Sequence, residues 1–261
     1  MSVKIHPTAI VDSKAQIGIN VEIGAYSIIA ADVIVGDRTS IGPHVVLKGP
    51  TTIGVENRIF QFCSIGEECQ DKKYNGEPTQ LIIGDRNTIR EFATMQRGTI
   101  QDESATRIGN DNWFMAYTHV AHDCVVGSNT IFANGATLAG HVKVGDGVIL
   151  GGFAAIHQFC HVGEYAMVAM CSAINKDVPA YLMVQGNMAK VRGMNLEGMR
   201  RRKLSKSVIQ TLQKAYDVVY RQSLTVQQAL AELTSWTGEN SNPELDIFIK
   251  SITQSTRGII R

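Results

Sequence analysis

The sequence predicts a mainly β protein in which a parallel β-helix of hexapeptide repeats is followed by a small C-terminal α-helical domain. The first observation is an aliphatic residue at every sixth position from Ile5 to Ile65, often with glycine directly after it. The second is that the spacing resumes at Ile83 and, shifted by one residue, runs from Ile108 to Ile174. The third is that this pattern stops near Pro179, where helical spacing replaces it.

A period of six fits neither the 3.6-residue period of an α-helix nor the period of two of a simple strand. A short strand followed by a tight turn accounts for it, because the aliphatic residue points inward and glycine permits the turn. Three such units would close a triangular coil, and parallel-strand hydrogen bonds would stack successive coils about 4.8 Å apart. The pattern therefore predicts a solenoid in which residues eighteen apart lie above one another.

The hand of the coil does not follow from the spacing. An aliphatic residue followed by glycine and four further residues is similar to the hexapeptide repeat of the left-handed β-helix acyltransferases. That resemblance implies a left-handed parallel β-helix, although crossover connections are generally right-handed. We expect this β-helix at residues 1–186, with loops near 66–82 and 97–107, and the helical domain at 187–261.

The C-terminal third shows helical signals. Thr225 can cap a helix that contains Val226 to Leu233, and Asn242 followed by Pro243 is typical of another helix start. Helical spacing of apolar side chains is found at Ile209, Leu212, Tyr216, Val219 and Tyr220.

Composition excludes several classes of protein. With 25 basic and 24 acidic residues the net charge is +1, so no global attraction to nucleic acid or anionic lipid is indicated. No stretch resembles a secretory signal or a transmembrane segment, and we expect a cytoplasmic protein. The five cysteines form no C-x-x-C pair, which argues against a disulfide framework and a zinc knuckle.

The segment THVAHDC at 118–124 places two histidines and a carboxylate in an otherwise small and aliphatic run. Stacking at eighteen residues puts His122, Gly140 and Gln158 in one column and Asp123 below His141. Within about three coils the chain is therefore expected to gather His119, His122, Asp123, His141, His157 and Gln158.

Three interpretations of this cluster stand beside one another. Any single histidine can be a hydrogen-bonded surface residue. Zinc is an alternative because trimeric carbonic anhydrases of the β-helix class use three histidines, but here His119 and His122 are only three apart and a third ligand at that spacing is missing. Acid–base catalysis fits best: His122 can accept a proton, Asp123 can fix its tautomer, and Gly140 allows a backbone N–H to approach an oxyanion. We expect no metal.

Further motifs extend the pattern over essentially the whole chain. They are HVAHDC, LAGH at 138–141, IHQFC at 156–160, QDKKYNGEPT at 70–79, DVPAY at 177–181, NLEGMRRR at 195–202 and the terminal STRGIIR. Together they resemble the UDP-N-acetylglucosamine 3-O-acyltransferases, which catalyse the first step of lipid A biosynthesis.

The resemblance implies a homotrimer with active sites between subunits. It implies transfer of a 3-hydroxyacyl group from acyl carrier protein to the glucosamine 3-hydroxyl of UDP-N-acetylglucosamine, without a metal or organic cofactor. In this family pattern His122 is the general base, Asp123 the carboxylate that orients it, and Gly140 the donor of the oxyanion N–H.

The same resemblance assigns the remaining site residues. His119, His141, His157 and Gln158 match substrate-positioning residues. Asp71 and Lys73 match a loop that contacts the sugar nucleotide, although an ordinary charged loop would look the same. Near the uridine and phosphates, where a guanidinium fork is well suited, the matching residues are Asn195, Glu197, Arg201 and Arg202; an arginine run of this kind is otherwise typical of a solvated helix start.

Two positions depart from the family pattern. Gln96 stands where the family has histidine before Arg-Gly-Thr, which leaves open whether an amino-substituted UDP-sugar is the preferred acceptor. Met170 stands at the acyl-chain ruler, where members that accept long chains have glycine. A methionine there would shorten the groove, so we predict 3-hydroxydecanoyl rather than 3-hydroxymyristoyl as the donor. The alternative is that Met170 fills the core.

Four other functions remain as rivals. The later UDP-3-O-acylglucosamine N-acyltransferase shares the coil and a catalytic histidine, but usually has an N-terminal uridine-binding domain, whereas the repeats here begin at Ile5. Acetyltransferases that use coenzyme A lack the QDKKY and NLEGMRRR segments. A zinc-dependent β-helix carbonic anhydrase would need the missing ligand. A non-catalytic scaffold would not need the histidine column.

Overall fold

The computed structural model describes residues 3–236 and 242–261, and over these it contains 28 strands and four helices. Most strands have two residues, as a six-residue repeat with a tight turn requires. In chain order the strands are β1 (Lys4–Ile5), β2 (Ile10–Val11), β3 (Gln16–Ile17), β4 (Glu22–Ile23), β5 (Ile28–Ile29), β6 (Val33–Val35), β7 (Ser40–Ile41), β8 (Val46–Leu47), β9 (Thr51–Ile53), β10 (Arg58–Ile59), β11 (Ser64–Glu67), β12 (Gln80–Ile83), β13 (Thr88–Ile89), β14 (Thr94–Gln96), β15 (Ala105–Ile108), β16 (Trp113–Phe114), β17 (His119–Val120), β18 (Val125–Val126), β19 (Ile131–Phe132), β20 (Thr137–Leu138), β21 (Lys143–Val144), β22 (Ile149–Leu150), β23 (Ala155–Ile156), β24 (His161–Val162), β25 (Met167–Val168), β26 (Ala173–Ile174), β27 (Leu182–Gln185) and β28 (Lys190–Met194). The helices are α1 (Leu196–Arg201), α2 (Lys206–Tyr220), α3 (Val226–Ser235) and α4 (Pro243–Thr253).

The strands form three sheets that are the walls of a triangular coil. Sheet A takes every third strand from β1 to β25 and adds β27 and β28; sheet B runs from β2 to β26, and sheet C from β3 to β24. Within each wall a strand pairs in parallel with the strand one coil away, as when Lys4 pairs with Glu22 and Ile5 with Ile23. The predicted stacking of residues eighteen apart is confirmed along most of the chain.

The core is the inside of this coil. The last residue of nearly every strand is the aliphatic or aromatic residue of the repeat, and from Ile23 onward these side chains are buried, as Leu47, Ile89, Phe114 and Leu150 illustrate. Alternation along the strand sends the preceding side chain outward. The apolar ladder therefore holds the walls together and leaves the outer faces and the corners for chemistry.

Two loops leave the coil at the corner between sheets B and C. Residues 68–79 connect β11 to β12, and residues 97–104 connect β14 to β15. Across them the paired residues are 30 and 25 apart instead of eighteen, as Leu81 with Thr51 and Ile108 with Ile83 show. The interruptions in the repeat are thus corner loops that leave the stacking of the walls intact.

The C-terminal region begins with a hairpin. Strand β27 continues sheet A in parallel, and β28 pairs with it in antiparallel register, so the hairpin spans the expected boundary at 186/187. Helices α2, α3 and α4 then pack on one another. Thr225 caps α3 in a capping box with Gln228, and Asn242 caps α4 with Pro243 in its first turn, as predicted. Among the described residues no helix has the length and apolar character needed to span a bilayer.

Candidate functional site

The B–C corner carries a histidine–carboxylate pair. His122 and Asp123 form the turn between β17 and β18, and Nδ1 of His122 lies 2.8 Å from Oδ2 of Asp123. Asp123 adopts a positive φ of 57°, a conformation that Asp tolerates better than most residues. Its side chain is only 1% exposed, and that of His122 is 14% exposed. The pair is therefore held at the surface end of an otherwise buried turn.

The carboxylate of Asp123 is fixed from a second direction. The backbone N–H and the hydroxyl of Thr99 donate to its two oxygens at 2.8 and 2.7 Å. Burial by itself would raise the pKa of Asp123, but the hydrogen bonds from His122 and Thr99 outweigh it and lower the pKa below its ordinary value. The anionic carboxylate thus keeps a proton on Nδ1 of His122 and leaves Nε2 as the nitrogen that can accept a proton.

Gly140 lies one coil beyond His122, and the imidazole rests directly on it. A Cβ at this glycine would come within 2.4 Å of Cε1 and 2.5 Å of Nε2 of His122. Only glycine leaves room for the ring. The neighbouring N–H groups of Ala139 and His141 donate to backbone carbonyls, whereas within the described chain no acceptor is found for the Gly140 N–H.

His141 completes the same corner. Its ring meets His122 edge-on with centroids 5.0 Å apart and stacks on Phe159 at 4.4 Å. Nδ1 of His141 lies 3.0 Å from Oδ2 of Asp102, and its Nε2 is 3.8 Å from Oδ2 of Asp123. The predicted column is thus present, and the 97–104 loop reaches into it.

His119 lies on the outer face of β17, three residues before His122. Its Nδ1 is 2.7 Å from the Thr94 hydroxyl. Burial, with a smaller contribution from His122, lowers the pKa of His119, which favours the neutral imidazole. This side chain can therefore offer a neutral hydrogen-bonding group beside His122.

His157 and Gln158 occupy the same corner two coils beyond His122, by the pairing of β17 with β20 and of β20 with β23. Both are exposed, and Nδ1 of His157 is 3.2 Å from the Gln158 carbonyl oxygen. They extend the column away from the His122–Asp123 pair rather than contacting it.

The 68–79 loop lies next to the His122–Asp123 pair. Asp71 accepts from the Lys73 N–H at 3.0 Å, while the Lys73 side chain is exposed. The buried Cys69 thiol has a pKa raised first by burial and then by the charges of Asp71 and Asp123, so the loop and the pair are neighbours. Gln96, at the end of β14, is buried, and within the described chain its amide oxygen finds no hydrogen-bond partner.

The NLEGMRRR segment lies elsewhere, at the corner between sheets C and A. Asn195 caps α1 and donates to the Tyr165 carbonyl oxygen at 3.0 Å, and Glu197 pairs with Arg201 at 3.1 Å. The Arg202 guanidinium sits 3.0 Å above the Tyr165 ring. A cleft of about 370 Å³ is bordered by Tyr165, Asn195, Arg201 and Arg202. One chain therefore does not bring this group together with His122.

Met170 lies at the third corner, between sheets A and B, in the turn after β25. Its side chain is 66% exposed, so the alternative that it fills the core is wrong. Its backbone packs against Gly151 of the preceding coil. Met170 is thus free to face a ligand or another subunit.

A metal at the histidine corner would have to use His122, Asp123 and His141, each of which places one potential ligand atom within 4.8 Å of the others. Both oxygens of Asp123 already accept hydrogen bonds from Thr99, and one also meets His122. His119, the ligand that the zinc alternative invoked, bonds to Thr94 instead. These contacts are those of a hydrogen-bonded acid–base pair.

Among the residues of this corner that sequence reasoning missed are Thr99 and Asp102. Both lie in the 97–104 loop, outside the repeat, so stacking at eighteen residues cannot place them. The Arg-Gly-Thr motif that ends at Thr99 was the one available signal, since a hydroxyl next to a flexible glycine can reach back to a neighbouring turn.

Comparison with known proteins agrees with this geometry. Residues 14–49 and 105–140 match the family model for the bacterial transferase hexapeptide (six repeats), and residues 177–260 match that for UDP N-acetylglucosamine O-acyltransferase, domain 2. Curated acyl-(acyl-carrier-protein)–UDP-N-acetylglucosamine O-acyltransferases from Stutzerimonas stutzeri and Herminiimonas arsenicoxydans are 51% and 52% identical over 257 and 259 residues, covering 98% of this chain and 99% of each relative.

Solved structures give the same result. LpxA from Acinetobacter baumannii aligns with a TM-score of 0.96 at 49% identity, over 98% of this chain and 99% of that one. The UDP-N-acetylglucosamine O-acyltransferase of Moraxella catarrhalis aligns equally well at 48% identity, with the same coverage. The fold and site thus define a hexapeptide-repeat acyltransferase, and the predicted left-handed β-helix with a small helical C-terminus is confirmed. The chain belongs to the UDP-N-acetylglucosamine O-acyltransferase family.

Proposed function

We propose that this chain transfers an acyl group from acyl carrier protein to UDP-N-acetylglucosamine, the first step of lipid A biosynthesis. Relatives that are 51% and 52% identical to this chain over nearly its whole length are named for this activity. The observation that carries the proposal is the His122–Asp123 pair, 2.8 Å apart, with its imidazole resting on Gly140. The proposal places the reaction in the cytoplasm, with no cofactor.

The His122–Asp123 pair can both accept and return the proton that moves during an acyl transfer. Asp123 holds Nδ1–H of His122, so Nε2 accepts the proton of the sugar 3-hydroxyl as that oxygen attacks the thioester carbonyl. The new C–O bond forms, the C–S bond breaks, and the imidazolium returns the proton to the departing thiolate. A general base of this kind contributes about 10² to 10⁴ in rate.

Gly140 is proposed to supply the oxyanion donor. Its N–H finds no acceptor within the described chain, and the missing side chain lets the imidazole of His122 lie directly beside this residue. A backbone donor of this kind stabilises charge that develops only in the transition state. His119 and His141 flank the same place and are proposed to position the substrates, with His157, Gln158, Gln96, Asp71 and Lys73 further out.

A homotrimer with shared active sites is proposed, and the separation of the corners supports the sharing of a site between two copies. Arg201 and Arg202 stand exposed at the edge of the C–A cleft, where guanidinium groups suit a diphosphate, but this corner is not that of His122. A second copy that places its C–A corner against the B–C corner of the first would complete the site. Asn195 and Glu197 would belong to the same half, Asn195 mainly by holding the start of α1.

Chain length is proposed to depend on Met170. Its exposed side chain at the A–B corner suits the end of an acyl groove. Because each methylene that meets a closed pocket costs about 1–3 kcal/mol, a shorter donor is expected, and 3-hydroxydecanoyl is proposed over 3-hydroxymyristoyl.

The test is an acyl-transfer assay with UDP-N-acetylglucosamine and 3-hydroxyacyl carrier proteins of several lengths. We expect turnover by the wild type and a loss of at least about a hundredfold in His122→Ala. His6→Ala, at an exposed histidine of the first coil, is the matched control and should keep full activity. Full activity in His122→Ala would overturn the assigned base, and no turnover with any donor would overturn the proposed function.

A further inference from the structure

We infer that Asp102 is a positioning residue of the reaction, which fixes the ring of His141 and so decides which of its nitrogens faces the His122–Asp123 pair. The inference rests on the proposed function of this corner. Its central observation is the 3.0 Å contact between Oδ2 of Asp102 and Nδ1 of His141. Asp102 lies outside the repeat, in the 97–104 loop.

The ring of His141 has its plane fixed but not its orientation within that plane. Stacking on Phe159, at 4.4 Å and 10° between planes, and the edge-on contact with His122 at 5.0 Å hold the ring in place. Neither contact depends on which ring positions are nitrogen, because one involves the face of the ring and the other its edge. A ring flip would exchange the nitrogen and carbon positions without disturbing this packing.

Asp102 removes that ambiguity. A carboxylate has only acceptor oxygens, so the contact requires a proton on Nδ1 of His141. The flipped ring would turn a carbon toward the carboxylate and lose a charge-assisted hydrogen bond, which is about twice as strong as a neutral one. With Nδ1 held, Nε2 points to the inner side of the corner, 3.8 Å from Oδ2 of Asp123. Asp102 therefore presents Nε2 of His141 to a substrate bound at the pair.

The loop that carries Asp102 makes a second contact with the same corner. Thr99, three residues earlier, donates twice to Asp123. One eight-residue loop, 97–104, thus holds the carboxylate of one coil and the imidazole of the next. Asp102 is 42% exposed, whereas the His141 side chain is 9% exposed, so the loop contacts His141 from the solvent side.

The experiment is a double-mutant cycle on kcat/KM in the acyl-transfer assay, with Asp102→Ala, His141→Ala and the double variant. We expect Asp102→Ala to lower kcat/KM by about tenfold in the wild-type background and to have no further effect when His141 is already alanine. The matched control is Glu103→Ala in the same loop, since Glu103 is exposed and pairs with Arg107 at 3.3 Å rather than with the corner. It should keep kcat/KM within about twofold of wild type.

Two results would overturn the inference. Wild-type kcat/KM in Asp102→Ala would show that His141 does not need the carboxylate. An equal loss from Asp102→Ala with and without His141 would show that Asp102 serves only the loop. Asp102→Asn keeps the side-chain volume and an acceptor oxygen but removes the charge, so it guards against a change in loop folding and should give a smaller loss that again disappears when His141 is alanine. Failure of the proposed function is distinct, because the wild type itself would then show no turnover.

Discussion

At the scale of single residues, the most constrained contact of the site is that between Gly140 and His122. The imidazole occupies the space where a side chain at residue 140 would begin, so the proposed base and the proposed oxyanion donor are placed by one packing contact. Because the atom in the way belongs to a side chain rather than to the backbone, the ring can be displaced without unfolding the coil.

Gly140→Ala is therefore expected to lower kcat by about a hundredfold, since the added methyl group pushes the imidazole off its position, while the melting temperature changes little. The assay is acyl transfer, with thermal unfolding measured in parallel. Gly152→Ala is the matched control, because a Cβ there meets only Asn134 at 3.5 Å, an ordinary contact. Equal activity of the two variants would contradict the packing account.

Met170→Gly is expected to extend the acyl groove and shift the preferred donor from 3-hydroxydecanoyl toward 3-hydroxymyristoyl. The four extra methylenes of the longer donor would no longer clash with the Met170 side chain. The ratio of kcat/KM for the two donors should therefore change by at least about a hundredfold. Cys171→Ser, at the next residue, which is also exposed, serves as the control. An unchanged preference in Met170→Gly would remove this residue from chain-length selection.

Residue placement could be predicted where the repeat applies. Stacking at eighteen residues put His122 against Gly140 and His141 above Asp123, and the structure shows both contacts. It could not give the partners of these groups, because Thr99 belongs to a loop whose path depends on tertiary contacts. Nor could it show that Met170 points outward, since the turn position alone leaves the side-chain direction open.

At the scale of elements, two of the sequence motifs turn out to meet. Asp177 of DVPAY is 2% exposed and accepts hydrogen bonds from the backbone N–H of His161 at 2.7 Å and from the Ser255 hydroxyl at 2.7 Å. The N–H groups of Thr256 and Arg257 add two more, at 3.0 and 3.2 Å. One buried carboxylate therefore ties the STRGIIR segment to the last coils.

Asp177→Asn is expected to destabilise the protein by about 1–3 kcal/mol, because an amide NH₂ would face backbone N–H donors that need an acceptor. Urea unfolding gives the free energy. Asp217→Asn, which breaks an exposed pair at 3.2 Å between Asp217 of α2 and Arg221 just after it, should change this free energy by less than about 0.5 kcal/mol. If both variants unfold at the same urea concentration, the carboxylate does not anchor the segment.

The helix starts at Thr225 and Asn242 were predictable because capping is local chemistry. The hairpin partner β28 was not, and the expected helical domain at 187–261 begins with this strand. Its segment, Lys190–Met194, has no six-residue spacing and finds its place only by antiparallel pairing with β27. Local sequence patterns thus predict the coils and the helix caps. Strand β28, which lies between the coils and the helices, could not be predicted in this way because it depends on pairing with β27.

At the scale of the whole molecule, the candidate site is divided among corners. His122 lies at the B–C corner and Arg201 at the C–A corner of one chain. If a neighbouring copy joins these corners, two inactive variants can restore each other's activity.

Mixing His122→Ala and Arg201→Ala chains by co-refolding is therefore expected to recover activity that neither variant shows when refolded alone. Under random assembly of a symmetric ring, about a quarter of the sites carry both intact residues. The measurement is acyl transfer, with the oligomer checked by light scattering. No recovery in a mixed oligomer would show that both residues act within one chain or that Arg201 lies outside the site.

The two corner loops show that chain length and wall register are decoupled in this molecule. Segments twelve and seven residues beyond the normal coil leave the B–C corner and return, and Ile53, Ile83 and Ile108 still stack in line. The chain can thus be lengthened at this corner without shifting the register of the buried aliphatic residues in the walls. Insertions at this corner can therefore change the surroundings of the site while the core stays in register, whereas an insertion inside a wall would turn the core side chains outward.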